Sequence, residues 1–249
     1  MTDIVKTADM TKTPTNYARQ FERVALLVVW ALTIGLFTFL IPNNFLNWGN
    51  FSIMFASYAP AALLALAIII PLTAGDYDLS VGATLTLSAS TIGVLNVWQQ
   101  MPIGMVLVIV LFMGLGIGLF HSLFIIYFRV PSLVVTLGST SLMSGIVQLI
   151  TNSSTIGGID NGLIMAAVGY RLFGIPYAFY YALAAALVMW YIFDFMPLGR
   201  RLLCVGRGRE VARLNGISVN KVRIGALCMS AVLASAAGIL YAGVLGSAD

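Results

Sequence analysis

Long apolar stretches alternate with short polar breaks along almost the whole chain. A helix needs about 20 apolar residues to cross the hydrocarbon core of a bilayer. Stretches of that order predict spans at Val24–Ile41, Ser52–Ala74, Val81–Trp98, Ile103–Phe128, Leu133–Ile150, Tyr177–Phe193 and Ile224–Leu245. The breaks are Pro42-Asn43-Asn44, Gly75 to Ser80, Gln99 to Pro102, Arg129-Val130-Pro131, the polar stretch Thr151 to Pro176, and the basic segment Asp194 to Arg223. The third span is rich in Ser and Thr, so a broken or re-entrant form facing protein or water is its alternative. The pattern predicts an all-α polytopic membrane protein of about seven transmembrane helices.

Composition agrees. Of 249 residues, 60% are hydrophobic and 9% charged, and the mean hydropathy is +0.97. A soluble domain carries roughly 25% charged residues, so this chain needs an apolar solvent. A membrane barrel would show alternating segments about ten residues long, and none occur. The abundance of small residues, including 24 Gly, suits close helix packing in lipid.

Charge placement orients the bundle. With the N-terminus inside, cytoplasmic segments hold Lys6, Lys12, Arg19, Arg23, Arg129, Arg200, Arg201, Arg207, Arg209, Arg213, Lys221 and Arg223, and outer segments hold Arg171 alone. That asymmetry follows the positive-inside rule. It also accounts for the net charge of +4 without nucleic acid. Trp30, Trp48, Trp98 and Trp190 lie in or near the span ends, Trp30 the deepest. Residues 1–23 read as a polar cytoplasmic tail followed by a signal-anchor, rather than a cleaved signal peptide. Residues 24–249 read as one transmembrane domain. Cys204 and Cys228 form no C-x-x-C pair, and neither a metal site nor a disulfide is expected.

Three local patterns stand out. Ser230, Ala234, Gly238 and Ala242 recur every four residues, and Gly114, Gly116 and Gly118 form a second small-residue face. Both suit ordinary bundle packing, with a homodimer seam as the sharper alternative. In the loop Gly75-Asp76-Tyr77-Asp78-Leu79-Ser80-Val81-Gly82, Asp78 is placed to cap a helix starting near Leu79. Gly75 and Gly82 would allow a tight turn and close packing. In the basic loop 194–223, Glu210 to Leu214 predicts one or two helical turns stopped by Asn215-Gly216. Ala212, Leu214 and Ile217 would form a small apolar surface among Arg207, Arg209 and Arg213. Such an element docks into a partner's groove or lies on lipid headgroups.

Together these loops resemble the permease subunits of bacterial ABC importers for simple sugars, of the ribose and xylose type. That family carries a Gly-Gly-x-Asp-Leu-Ser-Val-Gly signature, matched here by Gly75, Asp78, Leu79, Ser80, Val81 and Gly82, with Asp76 at the second glycine. Its Pro-x-Gly-Arg and Glu-Ala-Ala-x-x-x-Gly-Ile patterns match Pro197, Gly199, Arg200, Glu210, Ala212, Gly216 and Ile217, with Val211 at the first alanine. Val130 to Gly138 is similar to the family's fifth-span start. The resemblance runs from about Phe45 to Gly246.

The resemblance implies an ATP-driven importer in the bacterial inner membrane. Two permease subunits form the pathway, cytoplasmic ATPases bind the coupling element at Arg207, Arg209, Glu210, Ala212, Arg213, Gly216 and Ile217, and a periplasmic or lipid-anchored binding protein delivers the sugar. ATP and Mg would sit on the ATPase, since this chain has no G-x-x-x-x-G-K-[ST]. Family members also continue for further spans, so a C-terminally incomplete bundle is expected, unable to transport unaided.

The spans suit a neutral polyhydroxylated substrate, with Thr84, Ser88, Thr136, Ser139, Thr140 and Asn152 as candidate lining residues. The alternative is that such hydroxyls bond their own helix backbone. His121 is expected to bond across helices. An ion-coupled secondary transporter using Asp76, Asp78 and His121 is the rival function. A membrane enzyme would need a catalytic or metal cluster, and one histidine does not supply it.

Overall fold

The computed structural model describes residues 16–248, with side chains from residue 24 onward. The expected tail through Thr15, including Lys6 and Lys12, lies outside the described residues. Asn16 to Arg23, expected within the same tail, is already helical.

The described residues form two compact units, divided between Phe51 and Ser52. The first contains helix α1, Asn16–Leu40, and the single turn α2, Pro42–Phe45, started by its proline. The apolar part of α1, Val24–Leu40, is shorter than the other candidate spans. Helix α3, Trp48–Thr73, runs on into the second unit, with Pro60 and Pro71 inside it.

The remaining long helices are α4 (Val81–Trp98), α5 (Ile103–Tyr127), α6 (Ser132–Thr151), α8 (Tyr177–Asp194) and α11 (Val219–Leu245), with the short α7 (Asn161–Ile164) before α8. With α3 they are, among the described residues, six helices long and apolar enough to cross a membrane. The third predicted span is neither broken nor re-entrant. It is one continuous rod whose last turns, Gly93–Trp98, widen to π-helix. Thr84, Ser88 and Ser90 on it are buried and Thr86 and Thr91 half-buried, because the helix packs against α5, α6 and α11.

Helix α11 starts at Val219, five residues before the predicted Ile224. Lys221 and Arg223 therefore belong to a helix rather than to a loop. The basic loop is also more ordered than expected. Besides α10, Arg209–Leu214, it holds α9, Pro197–Arg207, which buries Gly199, Leu202 and Val205 on one face. The three-residue apolar spacing and a proline at the first helical position were the available signals.

Helix α11 packs against α4 and α5 through small residues. A Cβ on Gly118 would lie 2.6 Å from Cys228 Cα, and one on Gly238 would lie 2.6 Å from the Leu85 carbonyl oxygen. The stripe Ser230, Ala234, Gly238 and Ala242 is wholly buried within the chain, so it is not a homodimer seam. Gly116, by contrast, would meet nothing. Gly118→Ala is therefore expected to lower stability by about 1–3 kcal/mol through overpacking. Gly116→Ala is expected to be neutral or to raise it by about 0.5–1 kcal/mol. Thermal unfolding in detergent separates the two.

Loops alternate between the ends of the second unit as the span count requires. At one end Tyr77 N donates to Ser132 Oγ, and Arg209 reaches Asp76. At the other end β1 (Ile156–Gly157) pairs with β4 (Ser247–Ala248), and Asp160 N donates to Asn96 Oδ1. A small hairpin of β2 (Arg171–Leu172) and β3 (Ile175–Pro176) precedes α8.

Candidate functional site

The two sequence loops expected to carry function meet at one end of the second unit. Asp76 is 2% exposed and sits just beyond α3. Gly75, at φ +79, turns the chain there, a conformation open to glycine at little cost. The turn delivers the Asp76 carboxylate to two arginines. Arg223 holds it in a fork, Nε donating to Oδ2 at 2.7 Å and Nη2 to Oδ1 at 2.7 Å. Arg209 Nη2 adds a bond to Oδ1 at 3.1 Å and another to the Gly75 carbonyl at 3.0 Å. These are the ion pairs among the described residues. Planar, bidentate geometry suits guanidinium and carboxylate, and burial of Arg223 makes that half of the cluster the stronger one. Arg209 is about half exposed, where screening leaves an ion pair roughly 0–1 kcal/mol.

Asp78 has a different role. Its Oδ1 accepts from Ser80 N at 3.0 Å and Ser80 Oγ at 2.6 Å, and its Oδ2 accepts from Ser230 Oγ at 3.1 Å. The helix it serves begins at Val81, two residues later than expected, with Ser80 at the cap position. Asp78 thus fixes the approach to α4 and ties it to α11. Leu79 is exposed, while Ser80 and Val81 are buried. Gly82 was expected to permit close packing, but a Cβ there would meet nothing.

The basic segment is held against the same turn. A Cβ on Gly206 would collide with the Thr73 carbonyl oxygen, so a side-chain-free residue is needed where α9 crosses the end of α3. Helix α10 then runs from Arg209 to Leu214 and stops where Gly216 takes φ +75. Its faces differ from the expected arrangement. Ala212 is 2% exposed and packs inward, so it is not part of an outward apolar surface. Ile217 is half-buried. Leu214 projects as expected, at 82% exposed, and is joined by Val211 at 64%. Arg209, Glu210 and Arg213 share the other side and line a cleft, and Arg207 ends α9.

The candidate lining residues are mostly committed elsewhere. Thr84 bonds the Ser80 carbonyl, Thr136 that of Ser132, and Ser139 and Thr140 that of Thr136. Asn152 closes the end of α6 at φ 50 and is exposed. Ser88 Oγ is buried, as are Ser90 Oγ and Ser235 Oγ, and all three lack a partner among the described residues. Ser235 was not singled out from the sequence, since nothing in it separates a satisfied intramembrane serine from an unsatisfied one. His121 Nε2 meets Ser139 Oγ at 2.8 Å across α5 and α6, as an interhelical partner. Among the described residues no group of acids, histidines and cysteines is arranged to hold a metal, and Cys204 and Cys228 are free thiols.

Residues 50–249 match the family described as branched-chain amino acid transport system / permease component. The chain is 29% identical over 228 residues to the autoinducer 2 import system permease protein LsrC of Salmonella typhi, covering 90% of this chain and 64% of that one. It is 24% identical over 245 residues to the D-allose transport system permease protein AlsC of Escherichia coli K12, covering 98% of this chain and 75% of the relative. The LsrC protein of Yersinia enterocolitica is 29% identical over 226 residues, 61% of its length. The chain therefore spans less than two thirds of several of these relatives. No solved structure matches it.

Proposed function

Because the chain belongs to the family of branched-chain amino acid transport system permease components, we propose that it is a transmembrane permease subunit of an ATP-driven importer, carrying a neutral sugar or related polyol across the cytoplasmic membrane. Family membership over residues 50–249 is the observation that carries this reading, and the autoinducer 2 import and D-allose transport named for the LsrC and AlsC relatives support the substrate class. The chain is a permease component. ATP hydrolysis belongs to a separate cytoplasmic ATPase, a binding protein delivers the substrate from outside, and a second permease subunit completes the pathway. The N-terminus and the Asp76–Arg223 end face the cytoplasm, on the strength of the basic residues gathered there.

In this reading Val211 and Leu214 dock into the ATPase, and α10 relays its movement. Arg209 and the Gly206 contact join that segment to the end of α3, while Arg223 joins the same carboxylate to α11. Helix α11 is packed against α4 and α5 by its small residues, so displacement of α10 reaches the centre of the bundle through contacts too tight to deform gradually. The ion-coupled alternative is disfavoured by the same geometry. Asp76 is held by two arginines, Asp78 by Ser80 and Ser230, and His121 by Ser139.

Single cysteines at positions 211, 212 and 214, in the assembled transporter, test the docking. Crosslinks to the ATPase are expected from Val211→Cys and Leu214→Cys and far less from buried Ala212→Cys. An absence of adducts at both exposed positions would overturn the assignment.

A further inference from the structure

The cytoplasmic-end ion cluster borders an open cleft of about 1000 Å³ whose use the transport reading leaves unassigned. Three parts of the chain wall it: the α5–α6 bend with Arg129, the inward side of α10 with Arg213, and the start of α11 with Lys221. Asp76 and Glu210 also line it, as do Arg209 and Arg223. The Asp76 carboxylate is already held by Arg209 and Arg223. Arg129, Arg213 and Lys221 make no ion pair among the described residues, so they confront Glu210 alone.

Two further features point outward. Arg129 adopts φ +58, in the left-handed region, although glycine or asparagine would fit that bend with less strain. Strain kept at a bulky cation argues for a role of its side chain beyond the turn. Ile125, Val130, Leu133 and Ile217 add an apolar wall beside the polar Ser132, Ser218 and Asn220. The cleft also lies where α3 and α5 end and α6 and α11 begin, the level at which a bilayer presents its headgroups. Cations above an apolar wall, at that depth, match a phosphate ester attached to acyl chains. Basic pockets between helices on the cytoplasmic side bind anionic lipid headgroups in this way.

We propose that this cleft binds the phosphate group of an anionic phospholipid through Arg129, Arg213 and Lys221. The test uses the full chain, purified and stripped of lipid in a neutral detergent. Phosphatidylglycerol, phosphatidylcholine and inorganic phosphate are each titrated, with binding read by native mass spectrometry and by the shift in unfolding temperature. Phosphatidylglycerol is expected to bind and stabilise while phosphatidylcholine does not. Binding of inorganic phosphate with comparable effect would support the anion site and assign it to free phosphate rather than to lipid.

Arg129→Gly and Lys221→Gln are each expected to weaken phosphatidylglycerol binding about fivefold. Arg129→Gly separates this from a folding defect, because glycine relaxes the left-handed bend and the lipid-free unfolding temperature should not fall. Arg200→Gln and Arg201→Gln, outside the cleft, should leave binding unchanged. Equal binding of both lipids would overturn the proposal, as would full phosphatidylglycerol binding by the Arg129→Gly/Lys221→Gln double variant. So would a double variant that keeps lipid binding yet no longer associates with the ATPase, since the cleft would then be a protein interface.

Discussion

Asp76→Ala is expected to lower stability by about 3–5 kcal/mol, the range seen when one partner of a buried ion pair is removed. The effect comes mainly from what is left behind. Arg223 is 8% exposed and gives both its fork bonds to Asp76, so the variant strands a guanidinium in a site it cannot leave without disturbing α11. Arg209 loses one of its two partners but keeps the Gly75 carbonyl and is half exposed, so it contributes little to the loss. The double variant Asp76→Leu/Arg223→Met tests this account directly. Replacing both charges with apolar groups removes the stranded cation, and most of the stability should return. Thermal unfolding of the purified single and double variants gives the comparison. A double variant as unstable as Asp76→Ala would show that the carboxylate matters for the turn at Gly75 rather than for the pair.

That ion cluster marks the boundary of what the chain discloses before folding. All seven predicted spans fall on helices, six of them long and apolar enough to cross a membrane among the described residues, because runs of apolar residues near bilayer length leave few alternatives. The start of α11 was missed for a physical reason. Lys221 and Arg223 interrupt the apolar run, yet they lie in the first turns of the helix, where Arg223 turns inward to Asp76 instead of outward to water. Helix α9 was hidden because only three of its residues are buried, and a helix in a basic loop looks like solvated chain. Asp76 was visible as a departure from the family's glycine, but its partners lie 133 and 147 residues away, and no local pattern connects them. The hydroxyls of α4 and α6 show the reverse case. Backbone bonding four residues back was the foreseeable alternative to pathway lining, and Thr84, Thr136 and Thr140 adopt it.

Gly206→Ala is expected to disturb transport more than any other single methyl group added to this chain. An α-carbon substituent at position 206 points straight at the Thr73 carbonyl oxygen, a backbone atom that cannot rotate away. Either α9 lifts from the end of α3 or the last turn of α3 gives way, and overpacking of this kind costs about 1–3 kcal/mol. Both outcomes move Arg209, which begins α10 three residues later and reaches back to Gly75 and Asp76. Val211 and Leu214, proposed above to dock into the ATPase, would then keep their exposure but lose their fixed relation to α3 and α11. In the importer proposed above, ATPase association should persist while substrate uptake falls at least tenfold, a loss of coupling rather than of assembly. Gly225→Ala is the matched control, since it also adds a methyl group to a helical glycine near the same loop and meets no neighbour. It should retain uptake and stability. Normal uptake by Gly206→Ala would mean that α10 does not act through the end of α3, leaving Arg223 and α11 to carry the movement.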